Sequence, residues 1–352
     1  MARAREARAW AKEALRGVGD SLYTPFCGED GDDIDWDAYR YLVRYCVGEL
    51  KHPMLWLTSG LAEFWSLTMN ERKKLTEIAI AEARAINPKT VIQACTSATS
   101  AKDCLELTLH AQEAGADIVY IQTPSMEVHG GAGVLRFFEY IAKRTDIALG
   151  MFNSPSSGYV LTPAEAVEIY EKIPAVCAIK EGNLEPWRSR AIAMRTPDMQ
   201  VWECNLLGLT AGWAAKGLIC KAVLGTNGYL LDFPGNPRGT IYHEMLWKGQ
   251  IEDAIAYDQE QGIEKLALEA GNWLVAYPGR PGYFTHWGEV IKYASSVIGL
   301  PVGDYPYSRP PQARLPEEAK TQIRNAYSRA GLVGVASRAK IEMPGQKQAR
   351  VA

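Results

Sequence analysis

Eight short apolar runs alternate with longer helix-like stretches over the first two thirds of the chain. Strict alternation of strand and helix produces a parallel sheet that is buried on both faces. Eight such units favour a (β/α)8 TIM barrel over an open sheet. A dinucleotide-binding sheet would need a GxGxxG motif after its first strand, and none follows the first run. The predicted strands cover residues 17–25, 54–57, 90–94, 118–122, 148–152, 176–179, 200–203 and 218–224.

The stretches between the strands carry helix start signals. Thr68 with Glu71, and Thr162 with Glu165, have the spacing of a capping box, and Pro163 suits a first helical turn. We therefore expect an α/β fold in which each strand is followed by a helix. The predicted helices cover residues 36–50, 68–86, 101–114, 133–143, 162–172, 186–195 and 207–216.

Strand signals stop near residue 235. Three further helices are predicted beyond it, joined by loops rich in Pro and Gly, over residues 240–268, 286–298 and 316–330. The predicted organisation is an N-terminal helix (1–16), a barrel (17–235), a C-terminal helical extension (236–335) and a frayed tail (336–352).

Composition and charge exclude several classes of protein. The 352 residues include 41 acidic residues and 38 Lys plus Arg, a formal charge of −3, so we expect no nucleic-acid partner. No apolar run reaches the ~18 residues of a membrane helix, so no membrane partner is expected. Residues 1–16 lack the apolar core of a signal peptide. Glu6 and Glu13 favour an amphipathic helix there over a mitochondrial-type presequence.

Cysteine and histidine usage bears on location and cofactors. The seven cysteines are odd in number and form no CxxC motif, which indicates reduced thiols and a cytoplasmic protein. The five histidines show no metal-binding spacing, so no metal is expected.

Lys180 is the strongest candidate for a catalytic residue, because it directly follows the sixth apolar run. Catalytic residues of a barrel lie at the carboxyl ends of its strands. An apolar wall there favours the neutral, nucleophilic form of an amine, which can condense with a ketone to form an imine. A structural ion pair with Glu181 is the alternative, and Lys221 in the eighth run is the rival lysine.

Four motifs in order resemble the dihydrodipicolinate synthase and N-acetylneuraminate lyase family of class I aldolase barrels. They are Tyr23-Thr-Pro-Phe26, Gly60-Leu-Ala-Glu63, Phe152-Asn-Ser-Pro155 and Ala178-Ile-Lys180-Glu181. The resemblance extends over about residues 17–332. It implies a TIM barrel, Lys180 as the imine-forming residue and no cofactor. It also implies a homotetramer or homodimer, and a supporting role in the turn for Glu63.

The chain also departs from that family. The tyrosine that shuttles protons on the fifth strand is Phe152 here, and the paired hydroxyls that hold the substrate carboxylate become Gly60 and Leu61. Phenylalanine has no ionisable group and cannot act as a general acid or base. Another carrier is then needed, and the candidates are a water or one of the side chains of Tyr120, Ser59, Ser154 and His129. Backbone N–H groups of residues 60–62 remain able to bind a carboxylate.

The expected activity is retro-aldol cleavage of a 2-oxo acid to pyruvate and an aldehyde. Leu61 and the ten tryptophans favour an apolar or aromatic aldehyde half, as in hydratase-aldolases. Trp56, Trp65, Trp187 and Trp213 lie near strand ends. A dehydratase or hydratase using the same imine, and a barrel that binds a small acid without catalysis, are the alternatives. The predicted substrate-binding residues are Ser59, Gly60, Leu61, Phe152, Asn183, Thr226 and Asn227, with Tyr120 as a possible proton carrier.

Overall fold

Eight parallel strands form the barrel that the alternation predicts, in a computed structural model. The structure describes residues 4–124, 130–155, 159–182, 185–203, 207–223, 227–271 and 287–343. A two-stranded antiparallel pair follows the first barrel strand. In chain order the strands are β1 (Gly17–Ser21), β2 (Phe26–Cys27), β3 (Asp33–Ile34), β4 (Met54–Leu57), β5 (Val91–Cys95), β6 (Ile118–Gln122), β7 (Ala148–Asn153), β8 (Val176–Glu181), β9 (Gln200–Glu203) and β10 (Ala222–Val223).

The barrel strands are hydrogen-bonded in the order β10-β1-β4-β5-β6-β7-β8-β9. The two ends of this series meet where the Cys220 amide donates to the Val201 carbonyl oxygen at 2.9 Å. Side chains alternate between the two faces of a strand. Lys180 on β8 is in register with Phe152 on β7 and with Trp202 on β9. These three positions therefore lie at one level of the barrel.

Helices follow the barrel strands and continue into the C-terminal extension. Both predicted capping boxes are present, at Thr68 with Glu71 and at Thr162 with Glu165. No helix in the described ranges is long and apolar enough to cross a membrane. The α-helices are α1 (Ala7–Ala14), α2 (Trp36–Arg44), α3 (Met69–Ile86), α4 (Ala101–Ala114), α5 (Gly130–Ala142), α6 (Pro163–Lys172), α7 (Pro186–Ala193), α8 (Leu207–Ala215), α9 (Arg238–Trp247), α10 (Ile251–Gln261), α11 (Ile263–Gly271), α12 (Trp287–Ile298) and α13 (Glu317–Arg329).

Three predicted elements have different bounds in the structure. The single helix expected over residues 240–268 is divided into α9, α10 and α11, because Gly249 (φ 80°) and Gly262 (φ 64°) adopt left-handed conformations that end a helix. The sixth barrel strand continues through Glu181, so Lys180 lies inside it. In the described part of the chain the eighth contains Ala222 and Val223, and Lys221 precedes it.

Helix α1 closes the amino-terminal end of the barrel. Ala7, Ala11 and Leu15 are fully buried and pack in one cluster with the residues of the barrel interior. The Arg8 guanidinium donates to the carbonyl oxygen of Val176, the first residue of β8, at 3.3 Å. Since this end is covered by α1, the opposite end, where the strands reach their carboxyl termini, is the one that can hold a site.

Candidate active site

Lys180 lies at the carboxyl end of β8, and its side chain is 5% exposed. Its Nζ atom is 4.4 Å from the ring centre of Trp56 and 4.9 Å from that of Phe152. Glu181, the neighbour in the strand, points to the other face, where its carboxylate accepts from Asn153 Nδ2 at 2.9 Å. The apolar wall expected beside Lys180 is therefore made of two aromatic rings.

Three aromatic side chains pack together in the barrel interior, and Tyr120 among them is in register with Gly150, two residues before Phe152 on β7. Trp56 meets Phe152 edge-on with 5.1 Å between ring centres, and its centre is 5.7 Å from that of Tyr120. The Tyr120 ring fits only because residue 150 is glycine. A Cβ atom on Gly150 would lie 2.5 Å from Tyr120 Cε1. Burial raises the pKa of Tyr120 well above its usual range, and the Trp202 indole partly opposes this rise. The phenol is therefore neutral at pH 7.

Several polar atoms lie buried in the barrel, and sequence reasoning missed those of Gln93 and Trp202. The Gln93 amide, the indole nitrogens of Trp56 and Trp202, and the Tyr120 hydroxyl have no hydrogen-bond partner with good geometry among the described residues. Gln93 is in register with Trp56. It lies on the same face of β5 as Val91 and Cys95, which belong to the interior cluster. Because alternate residues of a strand face opposite sides, the pattern of β5 could have indicated from the sequence that Gln93 faces the barrel interior. These atoms give an aromatic interior several donors and acceptors near Lys180.

The turn after β4 is strained at both ends. Thr58 (φ 45°) and Glu63 (φ 62°) adopt left-handed conformations, which are costly for residues with a side chain and concentrate at functional sites. The Thr58 hydroxyl donates to the Cys95 carbonyl oxygen at 2.9 Å. Surrounding structure therefore fixes this turn, and Gly60 within it faces the Phe152 ring.

The three predicted substrate-binding residues of this turn have defined surroundings. Ser59 is fully buried, and its hydroxyl shares a hydrogen bond with the Ser21 hydroxyl. The Leu61 amide donates to Ser59 Oγ at 3.2 Å, and the Ala62 amide donates to the Ser59 carbonyl oxygen at 3.1 Å. Two of the three amides expected to bind a carboxylate are therefore engaged within the turn itself.

Glu63 connects the turn to the C-terminal extension. Its carboxylate lies 2.6 Å from Lys292 Nζ on α12, and both side chains are fully buried. Lys292 also donates to the Tyr307 carbonyl oxygen at 2.8 Å. Burial raises the pKa of Glu63 and lowers that of Lys292, and the attraction between the two opposes both shifts. The structural role predicted for Glu63 is consistent with this ion pair.

Asn227 is 1% exposed and follows the eighth strand. Its Nδ2 atom donates to the Tyr229 hydroxyl at 2.9 Å, whereas Oδ1 has no hydrogen-bond partner in the described part of the chain. Its substrate contact stays a prediction. Asn183 and Thr226 lie outside the described residues, as does His129 of the sequence analysis.

The rival lysine and most of the candidate tryptophans lie elsewhere. Lys221 precedes β10 at the amino-terminal end of the barrel, where its carbonyl oxygen accepts from the Gly17 amide at 3.0 Å. The barrel therefore separates Lys221 from Lys180. Trp187 is 58% exposed, Trp65 is 37% exposed and Trp213 packs partly buried against the outer core. Of the four, Trp56 is the one shown in contact with Lys180.

The described ranges contain no group of three or more His, Cys, Asp and Glu side chains arranged to hold a metal ion. The chemistry that these residues can supply is that of an amine in aromatic surroundings.

A TIM barrel with a lysine near the carboxyl end of its sixth strand is the architecture of a class I aldolase. The model of the dihydrodipicolinate synthetase family matches residues 14–204, and the chain belongs to that family. The 4-hydroxy-tetrahydrodipicolinate synthase of Thermotoga neapolitana is 29% identical over 171 residues, which are 48% of this chain and 55% of that protein. The chain thus spans about half the length of the curated relatives it matches.

Solved structures agree on the fold. The dihydrodipicolinate synthase of Cyanidioschyzon merolae with lysine bound superimposes with a TM-score of 0.76 at 21% identity, over 92% of this chain and all of that one. A prophage protein of the dihydrodipicolinic acid synthase family from E. coli K12, in complex with pyruvate, gives 0.72 at 21% identity, over 90% and 99% of the two chains. At this level of identity the likeness shows the fold.

Proposed function

We propose that this protein is a carbon–carbon lyase in which Lys180 forms an imine with the C2 carbonyl of a 2-oxo acid. The observation that carries the proposal is the position of Lys180, buried near the end of β8 with Nζ 4.4 Å from the Trp56 ring centre. Family membership supports it, and so does the pyruvate complex of the E. coli K12 relative.

The reaction begins with attack of the neutral Lys180 amine on C2, which forms a C–N bond and releases water. The protonated imine then withdraws the electron pair of the C3–C4 bond, while a base removes the proton from the C4 hydroxyl. An aldehyde leaves and an enamine remains. Protonation of the enamine at C3, followed by hydrolysis of the imine, gives pyruvate and restores Lys180.

Proton transfer needs a group other than Phe152. The Tyr120 hydroxyl is our proposed carrier, because it lies in the aromatic cluster that contacts Lys180 and makes no hydrogen bond to a described residue. The phenol is protonated at pH 7, as a donor to the enamine must be. Ser59 is a weaker candidate, since its hydroxyl is already bonded to Ser21.

The aldehyde half is proposed to be apolar or aromatic. The rings of Trp56 and Phe152 lie beside Lys180 Nζ, and each offers apolar surface. We further propose a homotetramer or homodimer in the cytoplasm that uses no metal or other cofactor.

The deciding experiment is reductive trapping with pyruvate and borohydride, followed by peptide mass spectrometry. A pyruvyl adduct on the Lys180 peptide is expected, and Lys180→Ala should abolish it. Lys221→Ala is the matched control, because Lys221 lies at the opposite end of the barrel, and it should leave trapping unchanged.

Product analysis then separates the activities. An aldehyde together with pyruvate indicates a lyase, whereas a single dehydrated acid indicates a dehydratase using the same imine. If a panel of 2-oxo acids gives no adduct on a folded protein, Lys180 does not form an imine and the proposal is wrong.

A further inference from the structure

Four polar groups in the barrel interior have no hydrogen-bond partner with good geometry among the described residues. They are the Gln93 amide, the Tyr120 hydroxyl and the indole nitrogens of Trp56 and Trp202, and each of these side chains is at most 1% exposed. Buried polar groups without a partner are rare, because leaving water without a replacement hydrogen bond costs free energy. Four of them in one interior indicate a bound molecule that satisfies them.

The four side chains come from neighbouring parts of the barrel. Gln93 is in register with Trp56, whose ring centre is 5.7 Å from that of Tyr120. Gln93 is also in register with Ile118, which lies two residues before Tyr120 on the same face of β6. Burial raises the pKa of Tyr120, and the Trp202 indole opposes this rise, so the indole lies near the phenol oxygen. Polar atoms from four strands therefore converge on one part of the interior.

The kinds of polar atom in this cluster identify the molecule. An indole nitrogen can only donate, whereas an amide and a phenol can both donate and accept. A water molecule accepts two hydrogen bonds and donates two, so it can accept from both indoles and donate to the oxygens of Gln93 and Tyr120. Internal waters typically make about three such bonds to buried groups that otherwise lack a partner.

We propose that the cluster holds one ordered internal water, through which Gln93 and Trp202 fix the orientation of the Tyr120 hydroxyl. Gln93 is then a positioning residue for proton transfer, since a hydroxyl held in one orientation meets the enamine more often than one that rotates. Trp202 is in register with Lys180, so the cluster adjoins the imine-forming residue. The inference rests on the proposed function, because it assumes that Tyr120 is the proton carrier.

A high-resolution crystal structure of the full chain tests the water directly. We expect one water within hydrogen-bonding distance of at least three of the four groups. An interior without electron density for a bound molecule would overturn the inference. Density for an ion at this position, or for the pyruvate carboxylate in the borohydride-trapped complex, would also overturn it.

Gln93→Met tests the role in proton transfer, because methionine has nearly the length of glutamine and lacks the amide. The readout is deuterium exchange into the methyl group of pyruvate, in which the enamine takes the phenolic deuteron at C3 and the reverse step returns a C3 proton to the phenolate. We expect exchange to slow by about 10- to 100-fold, as for a misplaced catalytic group. Borohydride trapping of pyruvate on Lys180 should stay unchanged.

The conservative variant Gln93→Glu should restore most of the exchange rate. A buried glutamic acid favours its neutral form, which both donates and accepts. If Gln93→Met does not fold, Trp202→Phe supplies the same comparison, because it keeps a ring and removes the N–H. Exchange in that variant should also slow while trapping persists.

Thr90 offers a matched control. Its hydroxyl is also buried and lacks a partner in the described part of the chain, but Thr90 precedes β5 and lies three residues before Gln93, on the other face. Thr90→Val removes that hydroxyl at nearly constant volume and should change neither exchange nor trapping.

The outcomes separate this inference from the proposed function. Slow exchange with normal trapping in Gln93→Met, and recovery in Gln93→Glu, support the inference. Wild-type exchange in Gln93→Met together with slow exchange in Tyr120→Phe overturns it and leaves the proposed function in place. Loss of both exchange and trapping in Gln93→Met also overturns it, because Gln93 then supports the whole site. No pyruvyl adduct on the folded wild-type protein overturns the proposed function itself.

Discussion

The amine of Lys180 lies over the face of Trp56, with Nζ 4.4 Å from the centre of the ring. A ring face stabilises a protonated amine, by about 0.5 kcal/mol at exposed sites and ~2 kcal/mol where water is excluded. Trp56 therefore opposes formation of the neutral nucleophile while it shapes the pocket. The same ring contacts Phe152 and Tyr120, so its replacement affects the whole cluster.

Replacement of Trp56 by Leu should move the pH profile of pyruvate trapping to lower pH. Loss of the cation–π contact favours the neutral amine, and the expected shift is about 0.5 to 1 pH unit. Trapping yield measured from pH 6 to pH 10 gives the midpoint. Trp56→Phe keeps a ring face and should shift the midpoint less. An unchanged midpoint in Trp56→Leu would show that the ring does not influence the amine.

Replacement of Tyr120 by Phe should slow proton transfer and leave imine formation intact. Loss of a general acid typically lowers a rate by ~100-fold or more. Deuterium incorporation into the pyruvate methyl group in D2O, followed by proton NMR, measures this step without knowledge of the aldehyde. The hydroxyl makes no hydrogen bond to a described residue, so stability should not fall.

Ser59→Ala is the comparison variant for the exchange experiment. Ser59 shares its hydroxyl bond with Ser21 and is the other buried candidate. If Tyr120→Phe exchanges deuterium at the wild-type rate while Ser59→Ala exchanges slowly, Ser59 rather than Tyr120 is the proton carrier.

Removal of Lys292 should weaken both the fold and substrate binding. Lys292→Met leaves the buried Glu63 carboxylate without its partner, and breaking one side of a buried pair costs about 3–5 kcal/mol. Urea denaturation measures this loss. Because Glu63 ends the turn beside the site, KM or probe affinity should weaken more than the rate of the chemical step.

The double variant Lys292→Met with Glu63→Leu tests the cause. It removes both charges together, so it should recover part of the stability lost in Lys292→Met. Additive losses in the double variant would mean that the two residues act independently.

Stability should fall on the alkaline side through His52. Its Nδ1 atom lies 2.6 Å from Asp20 Oδ2 and its Nε2 atom 3.0 Å from Asp232 Oδ2, inside the protein. Burial lowers the pKa of His52, but the two carboxylates outweigh it and raise the pKa to about 10. The folded state therefore holds a proton that the unfolded chain releases near pH 6.5.

The contribution of protonated His52 to the free energy of unfolding is complete below about pH 6.5 and declines as the pH rises. It is lost above about pH 10, a total of roughly 4–5 kcal/mol. Urea denaturation at a series of pH values measures the slope. His52→Gln should be less stable at pH 7 and should show a flatter decline. Equal slopes in the two proteins would contradict this assignment.

The sequence by itself determined the barrel, because strand and helix periods alternate locally and need no knowledge of distant contacts. All eight barrel strands coincide with predicted apolar runs, and both capping boxes form. The family followed from four short motifs and is confirmed by the family model. Lys180 could be singled out because a polar residue at the end of an apolar run is a local feature.

Only the tertiary structure decided what surrounds Lys180. Phe152 and Trp202 become its neighbours through strand register, and Trp56 through the curvature of the barrel. Lys292 reaches Glu63 across 229 residues of chain, and no local pattern predicts that buried pair. Periodicity fixes which residues face inward, whereas the closing of the barrel and the docking of α12 fix which of them meet.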